Sequence, residues 1–162
     1  MPALAQHVAA TGSVVGFSGA ESLPPEQLLG LKVDLLVPAA VEGVLHAGNA
    51  ADVQAKIVVE GANGPTTAAA DEILAAKDVL VVPDILANAG GVIVSYFEWV
   101  QGNQSYWWTE SEVSHRLEQR MLMAWSDLLE TQRKTPLTLR KAATVTAVQK
   151  VAHAHEVRGI YP

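Results

Sequence analysis

Cysteine is absent from all 162 residues, which excludes a disulfide framework, zinc–thiolate centres and thiol catalysis. Charge is scarce as well: Asp, Glu, Lys and Arg make up 17% of the chain, against about 25% in an average soluble domain. The net charge of -6 comes without any basic cluster, a poor basis for binding nucleic acid or an anionic membrane. No apolar run reaches the roughly 18 residues of a membrane span. Met1-Pro2-Ala3-Leu4 lacks the basic start and apolar core of a signal peptide. A soluble, cytoplasmic protein is the expectation.

What is abundant is small and apolar. Hydrophobic residues reach 49% while aromatics stay at 6%, so the excess is largely alanine and valine. A chain this short has a high surface-to-volume ratio and should need more polar surface, not less. Extensive oligomerisation, or cover by something outside this chain, is therefore expected.

Three short apolar runs have the composition of strands buried on both faces, as in parallel sheets. They are Val33-Asp34-Leu35-Leu36-Val37 before Pro38, Lys56-Ile57-Val58-Val59-Glu60 before Gly61, and Val79-Leu80-Val81-Val82 before Pro83. Thr66 to Lys77 reads as a helix started by Pro65 or a neighbouring threonine, and the segment from Pro38 through Leu45 as a weaker one. Pro2 to Ala10 is helical up to Gly12, and Pro24 to Leu29 is one short turn. Alternating strands and helices define a parallel α/β sheet.

The last third changes character. Thr109-Glu110-Ser111-Glu112 fits a capping box ahead of a long amphipathic helix to about Gln132, with Val113, Leu117, Met121, Ala124, Trp125 and Leu128 along one side. Thr135-Pro136 breaks it. Thr138 to Val157 forms a second helix, with Ala142, Val145, Val148 and Ala152 as its stripe and Gly159 as its stop. The predicted fold is α/β: a partial doubly wound, Rossmann-like parallel sheet over residues 1–104, followed by a carboxyl-terminal helical hairpin over 105–162. Only one of the two halves of such a sheet is present.

Ligands of these sheets bind beyond the carboxyl ends of the strands. The three exits read Pro38-Ala39-Ala40, Glu60-Gly61-Ala62-Asn63-Gly64 and Pro83-Asp84-Ile85-Leu86-Ala87-Asn88-Ala89-Gly90-Gly91, with no charge except Glu60 and Asp84. Small residues let a flat ligand approach the backbone, and two asparagines can orient amides or hydroxyls. Such a neutral crevice suits a nicotinamide-ribose better than a naked phosphate. Each residue has a plainer explanation too: Gly61 and Gly64 as turn residues, Asp84 as a helix N-cap, Asn63 and Asn88 as loop bridges. Val92 and Ser95 share a helical face, where a serine either bonds back to the preceding turn or offers its hydroxyl to a substrate. There is no G-x-G-x-x-G, no Walker loop and no G-x-S-x-G. His153, His155 and Glu156 are spaced wrongly for a shared metal. Trp99, Tyr106, Trp107 and Trp108 read as packing at a helix junction, since no basic residues interleave them.

The strand-exit segments resemble the glutamate dehydrogenase branch of the Glu/Leu/Phe/Val dehydrogenase family. The likeness rests on Pro38 to Glu42, Glu60-Gly61-Ala62-Asn63-Gly64-Pro65-Thr66-Thr67, and the run from Asn88 through Ser95-Tyr96-Phe97-Glu98-Trp99-Val100-Gln101. Gly16 to Ala20 and the ending Arg158-Gly159-Ile160-Tyr161-Pro162 add to it, and Gly102, where an asparagine is common, departs from it. The resemblance implies reversible oxidative deamination of L-glutamate to 2-oxoglutarate and ammonia with NAD or NADP. By motif position it implies that Ala39 and Ala40 line the cofactor crevice, Asn63 contacts the nicotinamide-side ribose and Asn88 orients the nicotinamide end. Val92 and Ser95 would touch the substrate side chain, the serine bonding its distal carboxylate. Family members carry their catalytic lysine and aspartate in an amino-terminal domain not found in these residues. They are typically hexamers. The chain alone is thus expected to be inactive, and a non-catalytic nucleotide-binding or assembly module is the alternative.

Overall fold

In the computed structural model, which describes residues 2–159, the three apolar runs pair as parallel strands. β1 (Leu35–Leu36), β2 (Ile57–Val59) and β3 (Leu80–Val82) lie in that order, Leu36 beside Val58 and Val58 beside Val81. Each is shorter than its apolar run, because Pro38 and Pro83 withhold a ladder donor and Gly61 turns the chain.

The helices are α1 (Pro2–Thr11), α2 (Pro25–Leu28), α3 (Ala68–Ala76), α4 (Asp84–Ala87), α5 (Gly90–Gln104), α6 (Glu110–Lys134) and α7 (Leu139–Arg158). α1 ends at Gly12 with φ +75° and buries no side chain. Thr67 starts α3, its hydroxyl accepting the Ala70 N–H at 3.3 Å. Residues 160–162, part of the family-like ending, lie outside the described residues.

The segment from Pro38 to Leu45 is not a helix. Gly43 has φ +65°, and its N–H donates to the Gly64 carbonyl at 2.8 Å. Leu45 bridges Thr66 in parallel, its N–H bonded to the Pro65 carbonyl at 2.9 Å. Backbone groups that a helix would use internally are committed to the loop after β2. The only helical segment in this β1–β2 crossover is 3₁₀, at Ala50–Asp52.

Two apolar clusters hold the chain. Leu45, Val53, Val58 and Leu74 centre the first, between the sheet, α3 and the crossover. Each such side chain contributes about 1.5–3 kcal/mol of burial. Leu86, Leu128, Leu139, Ala142 and Ala143 form the second, where α6 and α7 meet α4. The α7 stripe differs from the expected one. Ala142 is buried, but Val148 is 62% exposed and Ala152 is exposed, because Leu139 and Ala143 turn the covered face toward Thr146 and Ala147. The Thr131 and Thr146 hydroxyls are 2.8 Å apart across this seam.

The α6 start matches expectation. Thr109 Oγ1 accepts the Glu112 N–H, and Glu112 Oε2 accepts the Thr109 N–H at 2.7 Å. The Thr109 backbone bond, then its hydroxyl and Arg116, hold the Glu112 carboxyl below its ordinary value, against a small desolvation effect. A depressed carboxyl contributes stability above its unfolded-state pKa, lost as pH falls through the folded value. Thr109→Ala is therefore expected to speed amide exchange at residues 110–113 at neutral pH. The gap from wild type should narrow at acid pH, where the hydroxyl bond to the Glu112 carboxylate weakens, but not vanish, because the Glu112 N–H still finds the hydroxyl only in wild type.

At the α5–α6 junction the aromatic expectation divides. Gln101 is buried, its Nε2 donating to the Phe97 carbonyl at 3.2 Å and its Oε1 accepting the Trp108 N–H at 2.6 Å. Trp108 packs edge-on against Phe97, with the Arg116 guanidinium 4.2 Å from its ring centre. Trp99 and Trp107 remain 65% and 70% exposed. A basic residue does meet one of these rings; it comes from the next helix.

Candidate site at the carboxyl ends of the strands

The three strand exits are tied to one another. The Pro38 carbonyl accepts both the Gly61 N–H at 3.0 Å and the Ala62 N–H at 2.9 Å. A Cβ on Gly61 would meet that of Ala39 at 3.0 Å, so glycine allows these two exits to close together. Gly64, at φ +55°, donates its N–H to Asp84 Oδ2 at 2.8 Å, which joins the second exit to the third.

On this rim Asn88 Nδ2 donates to Asn63 Oδ1 at 2.6 Å and lies 3.4 Å from the carbonyls of Gly61 and Ala62. Those carbonyls, which only accept, fix which end of the Asn88 amide faces inward. Asn63 Nδ2 and Asn88 Oδ1 then have no partner among the described residues, leaving the pair one donor and one acceptor to offer. Ala39 and Ala40 are exposed and form part of the wall of a cleft of about 610 Å³ with Leu29, Val44 and His46. The asparagines lie outside that cleft's lining.

Val92 and Ser95 stand further along α5. Ser95 is exposed and its hydroxyl donates to the Gly91 carbonyl at 3.1 Å, the back-bond common for a helical serine. Val92 is 70% exposed and borders a separate hollow with Ile93, Tyr96 and Arg120. The structure thus joins Asn63 to Asn88 and places Ala39 against the Gly61 turn, with Ala40 next to it in the chain. Ser95 bonds to neither asparagine.

Behind the rim lies a cluster that sequence reasoning missed. Glu60 is fully buried and takes a two-pronged bond from Arg140, Nη2 to Oε1 at 2.7 Å and Nη1 to Oε2 at 3.0 Å. Glu60 Oε2 also accepts the Asp84 N–H at 2.8 Å. Arg140 Nη1 is 3.7 Å from Asp84 Oδ1, and Nε is 3.1 Å from Asp71 Oδ1, a charge contact without an aligned hydrogen bond. Burial pulls the Arg140 pKa down, but Glu60 and then Asp71 more than offset it, for a net rise. Asp84 is not the N-cap expected of it: Pro83 holds that position, and the Asp84 carboxylate takes the N–H groups of Ile85 and Gly64 instead. The one available signal was Glu60 itself, a charge closing an apolar run. Arg140 lies 80 residues away in sequence.

A parallel sheet with glycine- and alanine-rich exits gathered on one rim, followed by a helical hairpin, is a partial doubly wound, Rossmann-like fold. The family model for Glutamate/Leucine/Phenylalanine/Valine dehydrogenase matches residues 1–159, and the chain belongs to that family. It is 54% identical over 151 residues to a glutamate dehydrogenase of Thermotoga maritima, covering 93% of this chain and 36% of that protein. It is 52% identical over 155 residues to the NADP-specific glutamate dehydrogenase A1 of Halobacterium salinarum, covering 94% and 37%. Among solved structures, the hetero-hexameric glutamate dehydrogenase of Thermus thermophilus in its Leu-bound form superposes with a TM-score of 0.88 at 36% identity. That match covers 98% of this chain and 37% of the other. The chain therefore spans little more than a third of the length of these relatives.

Proposed function

We propose that this chain is the carboxyl-terminal part of a glutamate dehydrogenase: residues 1–104 supply the later half of the dinucleotide-binding domain, residues 105–162 the terminal helices. The reaction of the complete enzyme is oxidative deamination of L-glutamate to 2-oxoglutarate and ammonia with NAD or NADP, in a homo-oligomer of hexamer type. The observation that carries this reading is the asparagine pair. Its free donor and free acceptor complement a carboxamide or a ribose diol, and the small residues around it admit a flat ring. The donor set is neutral, which suits a nicotinamide-ribose better than a naked phosphate.

The bound nicotinamide supplies the hydride acceptor. Asn63 donates to the nicotinamide-side ribose, Asn88 orients the ring end, and Ala39 and Ala40 flank it with backbone. Val92 lines the substrate side chain. The Ser95 hydroxyl exchanges its Gly91 partner for the distal carboxylate. None of these six side chains can take the amine proton, so the chain alone is expected not to turn over. Exposed apolar side chains such as Leu35, Val37, Tyr96 and Trp99 are the faces that the remaining domain and neighbouring subunits cover.

Titration with NADH, followed by fluorescence, tests the cofactor assignment. Asn63→Ala is expected to weaken binding about tenfold, the value of a hydrogen bond or two. Equal affinity in wild type and variant overturns it. Glutamate-dependent NAD or NADP reduction should be absent for the chain alone and appear on mixing with the separately expressed amino-terminal portion. Turnover by the chain alone would refute the division of labour.

A further inference from the structure

A cation in the first turn of a helix opposes the helix dipole, and Arg140 is the second residue of α7. A buried ion pair is seldom more stabilising than apolar side chains of the same size, and its best-attested use is to set register. Neither consideration gives Arg140 a purpose within its own helix. Its contacts give it one. The guanidinium grips Glu60, whose Oε2 fixes the Asp84 N–H at 2.8 Å, and Asp84 Oδ2 holds the Gly64 N–H at 2.8 Å. Gly64 follows Asn63, and Asn63 Oδ1 is held by Asn88. A continuous line of short polar contacts runs from the α6–α7 hairpin to the exposed amide pair.

We propose that Arg140 is a positioning residue: the docking of α7 sets the placement of the Asn63 loop, and through it the affinity of the rim for the nicotinamide end of the cofactor. Three carboxylates, Glu60, Asp71 and Asp84, converge on this one guanidinium. Loosening it leaves them repelling one another, and the one among them bonded to the loop is Asp84, 25% exposed. The relay rests on the cofactor reading only in its last step.

The test uses the 162-residue chain with two readouts, Gly64 amide exchange by NMR and NADH affinity. Arg140→Lys keeps the charge and loses the fork. Asp71→Asn loosens Arg140 without removing any group that touches the loop, and serves where the Arg140 variant is too unstable to fold. Each is expected to speed Gly64 exchange and weaken NADH about tenfold. In an Asp84→Ala background neither should add anything further, because the line is already cut. Lys150→Met, which removes an exposed α7–α6 ion pair, should leave Gly64 unchanged. Wild-type Gly64 exchange in both Arg140→Lys and Asp71→Asn overturns the relay, as does full additivity with Asp84→Ala. If wild type binds no NADH, the cofactor reading fails while Gly64 exchange still decides the relay.

Discussion

Arg140→Met is expected to lower the unfolding free energy by about 3–5 kcal/mol in urea denaturation at neutral pH. Glu60 has no exposure to water, so losing the guanidinium strands a carboxylate that accepts only the Asp84 N–H in its place. Asp71 and Asp84 lose the same counter-charge. The opposing gain, relief of the α7 dipole, is only about 0.3–1 kcal/mol. Methionine fills much of the aliphatic stem, so the loss reports charge rather than a cavity. The double variant Glu60→Gln, Arg140→Met should recover part of the loss, because glutamine still accepts from Asp84 and removes the one carboxylate that has no access to water. A single-variant loss below 1 kcal/mol would show that water reaches Glu60 once Arg140 is gone.

Leu74→Ala should cost about 2–5 kcal/mol, the range for truncating a fully buried leucine. Leu74 lies under the sheet with Leu45, Val53 and Val58, all nearly inaccessible. Its neighbours are strand and crossover residues tied by backbone bonds such as Leu45 N–H to the Pro65 carbonyl, so little collapse into the space is available. For a chain of this size the melting temperature should fall by roughly 5–15 °C. Val151→Ala, on the exposed face of α7, should change it by less than about 0.5 kcal/mol in stability terms. Equal effects at Leu74 and Val151 would contradict the placement of the core.

Much of the architecture was legible along the chain because its signals are local. Thr109 and Glu112 cap each other three residues apart, Thr67 caps α3, and Pro38 and Pro83 end the strands where they stand. The asparagine-bearing loops were singled out because parallel strands must deliver their exits to the same side, where ligands of such sheets bind. The failures share a cause. Pro38 to Leu45 has helix-compatible residues, but its backbone donors are taken by Gly64 and Pro65. Asp84 sits where an N-cap is expected, yet its carboxylate serves a loop 20 residues earlier.

Periodicity and capping, which depend on neighbours within a turn or two, determined by themselves that this chain forms three short parallel strands and a helical hairpin. That the strands are covered on both faces did not follow, since Leu35 and Leu80 stand 51% and 43% exposed at the two edges of the sheet. The tertiary structure alone decided which α7 face is covered, which amide atoms of Asn63 and Asn88 stay free, and that Arg140 answers Glu60. Those choices depend on groups brought together from distant parts of the chain, where desolvation makes an unpaired charge or amide costly, and no local pattern encodes the partner.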